Sequence, residues 1–449
     1  MKFCSEKKFL GLGKDSVVFV ALFVLGFLMR APFLWHPASV IFDEFHFGKF
    51  VSAYCCTKAH FFDVHPPHAK LIIASFVSFF DYDGLFTFEK IRQPYEQMPF
   101  WAFRFVPILF GSMLSPLFYC LLRRFGVALL GGIFGATVIL LDNGIVLQTS
   151  VIGLESFLLV FGLLTILVAY SIYLKDTDNI AVNKLVVCAG LLAGLTVGSK
   201  ITGLASVALG ILIICFEPLK TRRFLQIVQR VALYFGTCIL IYLLGWVIHF
   251  AVLDQPGKGD KFYKPSGSAL VDSIAMQKVM YKANANLKKV HKFSSPMTAW
   301  PKNSGWVYYW GGGNEKIYFS GNFLIWWSAA FGFLIFVCYF AWNGLRMRSL
   351  SVPLMFCFIG FMGSYLPYSG VKRVLFMYHY LPPLFYLVLF VCISLEETKF
   401  FLLKSRIARL KFAPILAFVL SYFWLAPYTY GFTTEMWGDY IYDVYELWK

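Results

Sequence analysis

The sequence predicts an all-α integral membrane protein with about eleven transmembrane helices, and three observations support this fold class. The 449-residue chain is 59% hydrophobic and only 14% charged, whereas a soluble domain carries about 25% charged residues. Its mean hydropathy is +0.67. The apolar residues form long blocks, many of them close to the roughly twenty residues that a membrane-spanning helix needs. This composition is not that of a large soluble core.

The charged residues and the cysteines narrow the class of protein further. The net charge is +16, but many basic residues lie between apolar blocks, at the ends of predicted helices. This pattern is typical of membrane-surface anchoring and topology rather than of nucleic-acid binding. Of the ten cysteines, only Cys55 and Cys56 are adjacent, and no CxxC pair is present. We therefore expect no nucleic-acid partner, no zinc site and no disulfide framework.

The first predicted span, Val17–Met29, follows Lys7, Lys8 and Lys14. No small-residue cleavage site follows it cleanly, so we interpret it as a retained span whose basic flank places the N-terminus in the cytoplasm. Ten further spans are predicted, at Trp101–Leu122, Val127–Leu141, Leu154–Leu174, Leu185–Ser199, Ile201–Phe216, Phe224–Phe250, Asn322–Trp342, Pro353–Tyr368, Leu375–Ser394 and Phe412–Tyr430.

The apolar segment Leu71–Phe80 decides the topology. It is only about ten residues long, too short to cross a bilayer, so we place it along the outer interface. Six basic clusters, including the N-terminus and Arg123/Arg124, then lie on the cytoplasmic side. The lysine-rich loop 251–321 is an exception, but loops of this length largely escape the positive-inside bias. The first outer loop, at about 35–100, and the C-terminal tail 431–449 share its face. We predict a single membrane-embedded catalytic domain over residues 1–449.

The first outer loop contains the residues best suited to chemistry. Asp43 and Glu44 are adjacent acids in a largely aromatic setting. On a helix their side chains point about 100° apart, so one can face a substrate while a partner holds the other. Capping of a helix at the membrane surface is the alternative. The run from Asp63 to Pro67 then predicts a rigid turn presenting His65, because its two prolines fix both φ angles.

Several short motifs follow one another along nearly the whole chain: Phe42-Asp43-Glu44-Phe45-His46, Asp63-Val64-His65-Pro66-Pro67, Arg104 to Gly111, Gly198-Ser199-Lys200, Ser294 to Pro301 and Arg373 to Pro382. Together they resemble the motifs of the protein O-mannosyltransferase family. The chain departs from the family pattern at His68 and Ala69, where Leu-Gly is common, and its second outer loop is too short for the β-trefoil insert of eukaryotic members.

The resemblance implies a C-type membrane glycosyltransferase whose first outer loop forms interfacial helices. It implies dolichyl- or another polyprenyl-phosphate-mannose as the donor and Ser or Thr hydroxyls of translocated proteins as acceptors, in the bacterial plasma membrane or the endoplasmic reticulum. A β-linked donor and an α-linked product imply one displacement with inversion, which needs a base but no cofactor. The alternatives are a sister transferase that moves another polyprenyl-linked sugar to a lipid or glycan, and a membrane transporter.

The resemblance also assigns roles to residues. We expect Asp43 to be the base and Glu44 to orient Asp43 or the acceptor, with Arg104 as the partner of Glu44; snorkelling to the interface is the alternative for Arg104. Lys200 and Arg373 are expected to bind the donor phosphate, because fixed cations stabilise its growing charge. A lipid headgroup contact is the alternative for Arg373.

The remaining candidates are supporting residues. His65, His379 and Tyr378 are expected to contact the donor or the acceptor. Trp300 either covers the site and stacks on the sugar or packs at the interface. The adjacent acids of the first outer loop offer only two ligands for a divalent ion, too few to predict a metal site.

Overall fold

The computed structural model describes residues 13–175, 180–286, 291–312, 314–344, 351–371, 373–399 and 413–432. Most of the regular structure there is α-helix. The elements are α1 Lys14–Arg30, α2 Glu44–Ser52, α3 His68–Val77, α4 Phe100–Ser112, α5 Leu114–Arg124, α6 Leu129–Leu140, α7 Asn143–Gln148, α8 Glu155–Lys175, α9 Ile180–Ser199, α10 Leu204–Lys220, α11 Phe224–Val252, α12 Ala269–Asn286, β1 Val307–Gly312, β2 Glu315–Phe319, α13 Phe323–Gly344, α14 Val352–Tyr365, α15 Leu381–Glu397 and α16 Ala413–Tyr430.

Ten segments of the described chain are long and apolar enough to cross a membrane. They correspond to ten of the eleven predicted spans and confirm a polytopic membrane fold. The second of these segments, Phe100–Arg124, consists of α4 and α5, which meet at Met113.

The remaining predicted span, Val127–Leu141, forms only the twelve-residue helix α6, which is about 18 Å long. The chain nevertheless passes from one end of the bundle to the other here. Before α6, the ring of Phe125 lies 4.6 Å from that of Tyr170, near the end of α8. After α7, the backbone of Ile152 donates to Glu44 beside the start of α8. Two short helices, α6 and α7, therefore take the place of this one predicted span, and the chain crosses the bundle between α5 and α8.

The predicted interfacial segment is the ten-residue helix α3, which is about 15 Å long and too short to span a bilayer. His68 holds it against two spans, because Nδ1 and Nε2 lie 3.1 and 2.9 Å from the carbonyl oxygens of Gly198 and Ile241. A Cβ at Gly198 or Gly245 would lie 2.3 or 2.2 Å from the imidazole. Glycine at both positions permits this docking, so the departure from the family pattern at His68 has a structural role.

The second outer loop contains an antiparallel hairpin of β1 and β2, which the prediction of an all-α fold missed. The carbonyl oxygen of Tyr309 in β1 accepts a hydrogen bond of 3.0 Å from the backbone N–H of Phe42. The rings of these two residues stack with centroids 4.4 Å apart. The hairpin therefore fixes the backbone immediately before Asp43.

Basic helix ends cluster at the end of the bundle opposite Glu44. Arg123 at the end of α5 donates to Asp15 in the first turn of α1 over 3.0 Å, and Lys175 and Lys220 end α8 and α10. The predicted clusters at 346–348 and 404–411, the lysines before residue 13 and most of the tail 431–449 lie outside the described residues. The single-domain organisation stays a prediction.

Cys55 and Cys56 form a disulfide in the π-helical turn that follows α2. The expectation of no disulfide framework did not anticipate this single bond. A bond between adjacent residues leaves no spacing pattern of the kind from which a disulfide framework is inferred. The other cysteines that the structure describes are free.

Candidate active site

Glu44 is fully buried at the first position of α2, and both of its carboxylate oxygens are engaged. Arg104 donates from Nε to Oε1 and from Nη2 to Oε2, each over 2.7 Å. The Tyr95 hydroxyl donates to Oε2 over 2.7 Å, and the backbone N–H groups of Ile41 and Ile152 donate over 2.9 and 3.1 Å. The expected partner Arg104 is therefore present. Because both oxygens already have partners, the carboxylate of Glu44 fixes the loop that carries Asp43, and its expected role in orienting Asp43 or the acceptor stays a prediction.

Arg104 uses its other N–H groups on the chain before α2. Nη1 donates to the carbonyl oxygens of Phe33 and Pro37, each over 2.9 Å, and Nη2 donates to that of Ser39 over 3.1 Å. The side chain is fully buried, so the snorkelling alternative is wrong. A buried ion pair is tolerated when its hydrogen-bonding groups are satisfied, as they are here. This contact ties the second span to the loop that carries Asp43.

Asp43 differs sharply from its neighbour. It is half-buried, and its carboxylate accepts no hydrogen bond from the described residues, not even as the residue preceding α2. Burial, and next the negative charge of Glu155, raise the pKa of Asp43 to about 7, while Lys200 opposes that rise. The carboxylate is therefore an open acceptor that takes up or releases a proton near neutral pH.

Lys200 lies between α9 and α10 and pairs with Glu155 at the start of α8. The distance from Nζ to Oε1 is 2.5 Å, and both side chains are less than one-tenth exposed. The ammonium also lies 5.1 Å from the centre of the Tyr378 ring, within the range of a cation–π contact. A lysine so deeply buried requires an anion, and Glu155 supplies one while two of the three ammonium hydrogens remain available.

A cavity of about 340 Å³ brings four of the predicted residues together. Parts of its wall are apolar, contributed by residues such as Ile201, Met280 and Leu375. A smaller adjoining cavity shares Lys200 and His379 and adds Glu155 and Tyr378. The result is a partly apolar chamber with a cationic end. The four predicted residues that line the larger cavity are His65, Lys200, Arg373 and His379.

Arg373 reaches the cavity from the segment before α15. Its Nη1 donates to Oδ1 of Asn284 in α12. Its Nε is buried and has no hydrogen-bond partner among the described residues. Because a buried N–H group without a partner is costly, the guanidinium has unmet capacity for an anion.

The predicted turn that presents His65 is held by an ion pair. Lys70 in α3 pairs with Asp63 and donates to the His65 carbonyl oxygen over 2.9 Å. Burial, reinforced by the charges of Lys200 and Lys70, lowers the pKa of His65 well below its usual range. His65 is therefore neutral and offers a hydrogen bond rather than a charge to a ligand in the cavity.

Trp300 packs behind the cavity and does not cover it. Its side chain is fully buried, its Nε1 donates to Ser295 over 3.1 Å, and its ring stacks on His379 with centroids 6.2 Å apart. On its other side, the His379 ring stacks on Tyr378 at 4.7 Å. The full burial of the indole favours packing over contact with a sugar, and the role of Trp300 stays a prediction.

The adjacent acids do not fit a divalent ion. Both oxygens of Glu44 already accept N–H and O–H donors, so only Asp43 has open coordination positions. In the described part of the chain, no group of three or more His, Cys, Asp or Glu side chains is arranged to hold a metal. The expectation that the reaction needs no cofactor stays a prediction.

Three residues beside the site were not predicted as functional. Glu155 was given no functional role from the sequence, although an acid at the start of a span is itself a signal. Tyr309 and Asn284 lie in the second outer loop, whose internal structure no periodic pattern revealed. Only their contacts with Phe42 and Arg373 place them at the site.

The fold and the site define a polytopic membrane protein with an open carboxylate at one end of the bundle, beside a cavity that combines apolar walls with two cations. The chain belongs to the dolichyl-phosphate-mannose-protein mannosyltransferase family, whose model matches residues 20–253. A model of the C-terminal four TMM region of protein-O-mannosyltransferase matches residues 270–440.

Individual relatives agree with this assignment. The chain is 30% identical over 261 residues to protein O-mannosyltransferase 1 of Drosophila melanogaster. The matched region covers 56% of this chain and 29% of the fly protein. It is 29% identical over 254 residues to dolichyl-phosphate-mannose–protein mannosyltransferase 4 of Saccharomyces cerevisiae, covering 53% of this chain and 33% of the yeast protein. The matched regions therefore span about a third or less of these relatives.

Solved structures share the fold. A chain of a protein O-mannosyltransferase complex of S. cerevisiae bound to the sugar donor superposes with a TM-score of 0.83 and 17% identity, covering 96% of this chain and 93% of that one. The oligosaccharyltransferase of Archaeoglobus fulgidus in the apo form gives a TM-score of 0.59 and 12% identity, covering 98% and 60%. Both are membrane glycosyltransferases, which confirms the predicted fold class.

Proposed function

We propose that this protein is an inverting glycosyltransferase that moves mannose from a polyprenyl- or dolichyl-phosphate-mannose to Ser or Thr hydroxyls of proteins. One observation carries the proposal. The open carboxylate of Asp43 lies within electrostatic range of Lys200, and Lys200 shares a cavity with Arg373. One carboxylate and two cations from three distant parts of the chain thus lie near one another, and these groups suit a base and a phosphate-binding pair.

The cavity suits a lipid-linked sugar phosphate. Its cationic end, Lys200 and Arg373, matches a phosphodiester, and its apolar wall matches the first part of an isoprenoid chain. His65 and His379 can donate hydrogen bonds to the phosphate or the sugar. The name of the yeast relative states the same donor, and the related yeast complex was solved with its sugar donor.

In the proposed reaction, the acceptor hydroxyl oxygen attacks the anomeric carbon of the mannose as the bond from that carbon to the phosphate oxygen breaks. The hydroxyl proton passes to Asp43, and the bonding electrons leave with the lipid phosphate. A base functions best when its pKa is near the operating pH, and that of Asp43 is about 7. Glu44 and Arg104 hold the loop that carries Asp43 in place.

The leaving phosphate gains negative charge in the transition state. Preorganised cations in a site of low dielectric stabilise such charge strongly. The ammonium of Lys200 pairs with Glu155 and lies beside the ring of Tyr378, and the Nε of Arg373 has no hydrogen-bond partner among the described residues. No general acid is needed, because a phosphate leaves without protonation.

We further propose that the site faces the non-cytoplasmic side, in the bacterial plasma membrane or the endoplasmic reticulum. Basic helix ends cluster at the opposite end of the bundle, and lysine and arginine are enriched in cytoplasmic loops. Acceptors are then proteins that have crossed the membrane. A reporter fused within residues 80–90 that reads as cytosolic would overturn this orientation.

The test is transfer of radiolabelled mannose from polyprenyl-phosphate-mannose to a Ser/Thr-rich peptide by membranes containing the protein. We expect labelled peptide with the wild type and a loss of label of about 10²-fold or more with Asp43→Asn. Asp81→Asn removes an exposed carboxylate of the same loop and serves as the matched control, with transfer retained. Transfer that survives Asp43→Asn at equal expression contradicts the assignment of the base.

The identity of the sugar is tested separately. The same membranes are given polyprenyl-phosphate-glucose and polyprenyl-phosphate-mannose in parallel, with both peptide and lipid acceptors. Preferential transfer of mannose to the peptide supports the proposal. Transfer of glucose alone, or to lipid alone, identifies a sister transferase instead.

A further inference from the structure

Helix α12 in the second outer loop forms one wall of the cavity. Gln277, Met280 and Asn284, spaced three and four residues apart on one face, line it together with Tyr281. The helix is anchored to α11, since the Tyr242 hydroxyl donates to Gln277 Oε1 over 2.6 Å. The wall is therefore a fixed part of the bundle.

Asn284 joins three separate segments at this wall. Its Oδ1 accepts a hydrogen bond from Nη1 of Arg373. Its Nδ2 donates to the carbonyl oxygen of Val64, next to His65, over 3.3 Å, and to that of Met280 within α12 over 3.0 Å. One amide thus links the first outer loop, the second outer loop and the segment that carries Arg373.

The chemistry of the amide matters as much as its position. A neutral oxygen orients a guanidinium without neutralising it, whereas a carboxylate would form an ion pair with it. The Nε of Arg373 is buried and lacks a partner among the described residues. The guanidinium is therefore held at one nitrogen while its charge and its Nε remain available. Lys200 is the contrasting case, because a carboxylate already holds it.

We infer that Asn284 is a positioning residue for the lipid-phosphate site: it aims Arg373 at the phosphate of the donor and keeps the guanidinium uncompensated. The inference rests on the proposed function for the identity of the ligand, but it concerns phosphate binding alone. It also gives the second outer loop a role in donor recognition.

The test measures binding of radiolabelled polyprenyl phosphate to the purified full-length protein in lipid nanodiscs. Asn284→Asp should weaken binding about tenfold. The new carboxylate would form an ion pair with Arg373 and compete with the phosphate for the guanidinium, at a loss of about one charge-assisted hydrogen bond. Asn286→Asp makes the same substitution at an exposed position of the same helix and should change binding little. Equal binding by Asn284→Asp and the wild type overturns the inference.

A double-mutant cycle separates positioning from general damage. Asn284→Ala should weaken binding about threefold, the effect of one hydrogen bond, in the wild-type background. It should have no further effect in an Arg373→Ala background, because the group that it positions is then gone. Equal losses in both backgrounds also overturn the inference. The thermal midpoint of each variant shows whether the fold is retained, and the cycle is read from variants that keep it.

Failure of this inference is distinguishable from failure of the proposed function. Polyprenyl phosphate carries no sugar, so its binding is measured whether or not mannose is transferred. If the wild type binds polyprenyl phosphate and transfers mannose but Asn284→Asp behaves normally, only the role of Asn284 is wrong. If the wild type binds polyprenyl phosphate without transferring mannose, the proposed reaction is wrong and the binding comparison still holds.

Discussion

Two neighbouring regions at the end of the bundle that carries Asp43 differ in whether their polar groups are satisfied within the protein. Around Glu44 and Arg104, every carboxylate oxygen and guanidinium N–H has a partner within the protein. In the region of Lys200, by contrast, the carboxylate of Asp43 and the Nε of Arg373 have no hydrogen-bond partner among the described residues. In the first region, the hydrogen-bonding groups are satisfied within the protein and stabilise the fold. The second leaves capacity that a substrate can use.

The largest expected effect comes from the open carboxylate. Asp43→Asn should lower the rate of mannose transfer by about 10²- to 10⁴-fold, the usual contribution of a general base. Because Asp43 accepts no hydrogen bond from the described residues and its ionised form is disfavoured by burial, the thermal midpoint should not fall. The measurement is initial transfer rate together with thermal unfolding in detergent. A variant that unfolds would show that Asp43, like Glu44 and Arg104, is needed for the fold.

The neighbouring acid should give the opposite signature. Glu44→Gln leaves the buried Arg104 without its counter-charge, which should destabilise the protein by about 3–5 kcal/mol. We expect poor expression or a much lower thermal midpoint, with activity lost in proportion to folded protein. Glu89→Gln, at an exposed position of the same loop, is the control. A stable but inactive Glu44→Gln protein would contradict the purely structural role.

A smaller effect is expected at the cation with the unpaired Nε. Arg373→Gln should raise the donor KM about 10- to 100-fold, the range for losing hydrogen bonds to a charged group. The KM for the acceptor peptide should stay constant, because the peptide does not contact the phosphate. Donor titrations at saturating peptide measure this. An unchanged donor KM would favour the headgroup-contact alternative for Arg373.

The smallest effect concerns pH. Burial raises the pKa of Asp43 to about 7, and the deprotonated form is the base, so kcat/KM should fall about tenfold from pH 8 to pH 6. The sign for stability is opposite. The folded state binds this proton more tightly than the unfolded chain does. The contribution of Asp43 to the free energy of unfolding therefore falls as pH rises from about 4 to 7. A rate–pH profile whose midpoint lies near pH 4 would mean that Asp43 is solvated as an ordinary carboxylate.

Much of the site could be anticipated because its residues lie in short contiguous motifs. Asp43, Glu44 and the turn of His65 follow one another within one loop, and the resemblance to the family supplied Lys200 and Arg373. Their convergence could not be read from spacing, because more than 150 residues separate Lys200 from Arg373. The hydrogen bond between Asn284 and Arg373, the packing of Trp300 and the β-hairpin all depend on contacts between segments far apart in the chain.

The sequence by itself determined the membrane class, the positions of the spans and the likeness to a mannosyltransferase family, because these depend on local apolar length and on short motifs. Only the tertiary structure decided which of two adjacent acids stays open. Asp43 and Glu44 are neighbours with nearly the same intrinsic chemistry. Their environments differ because Arg104, Tyr95 and the backbone before α8 surround one carboxylate and leave the other facing Lys200 and Glu155.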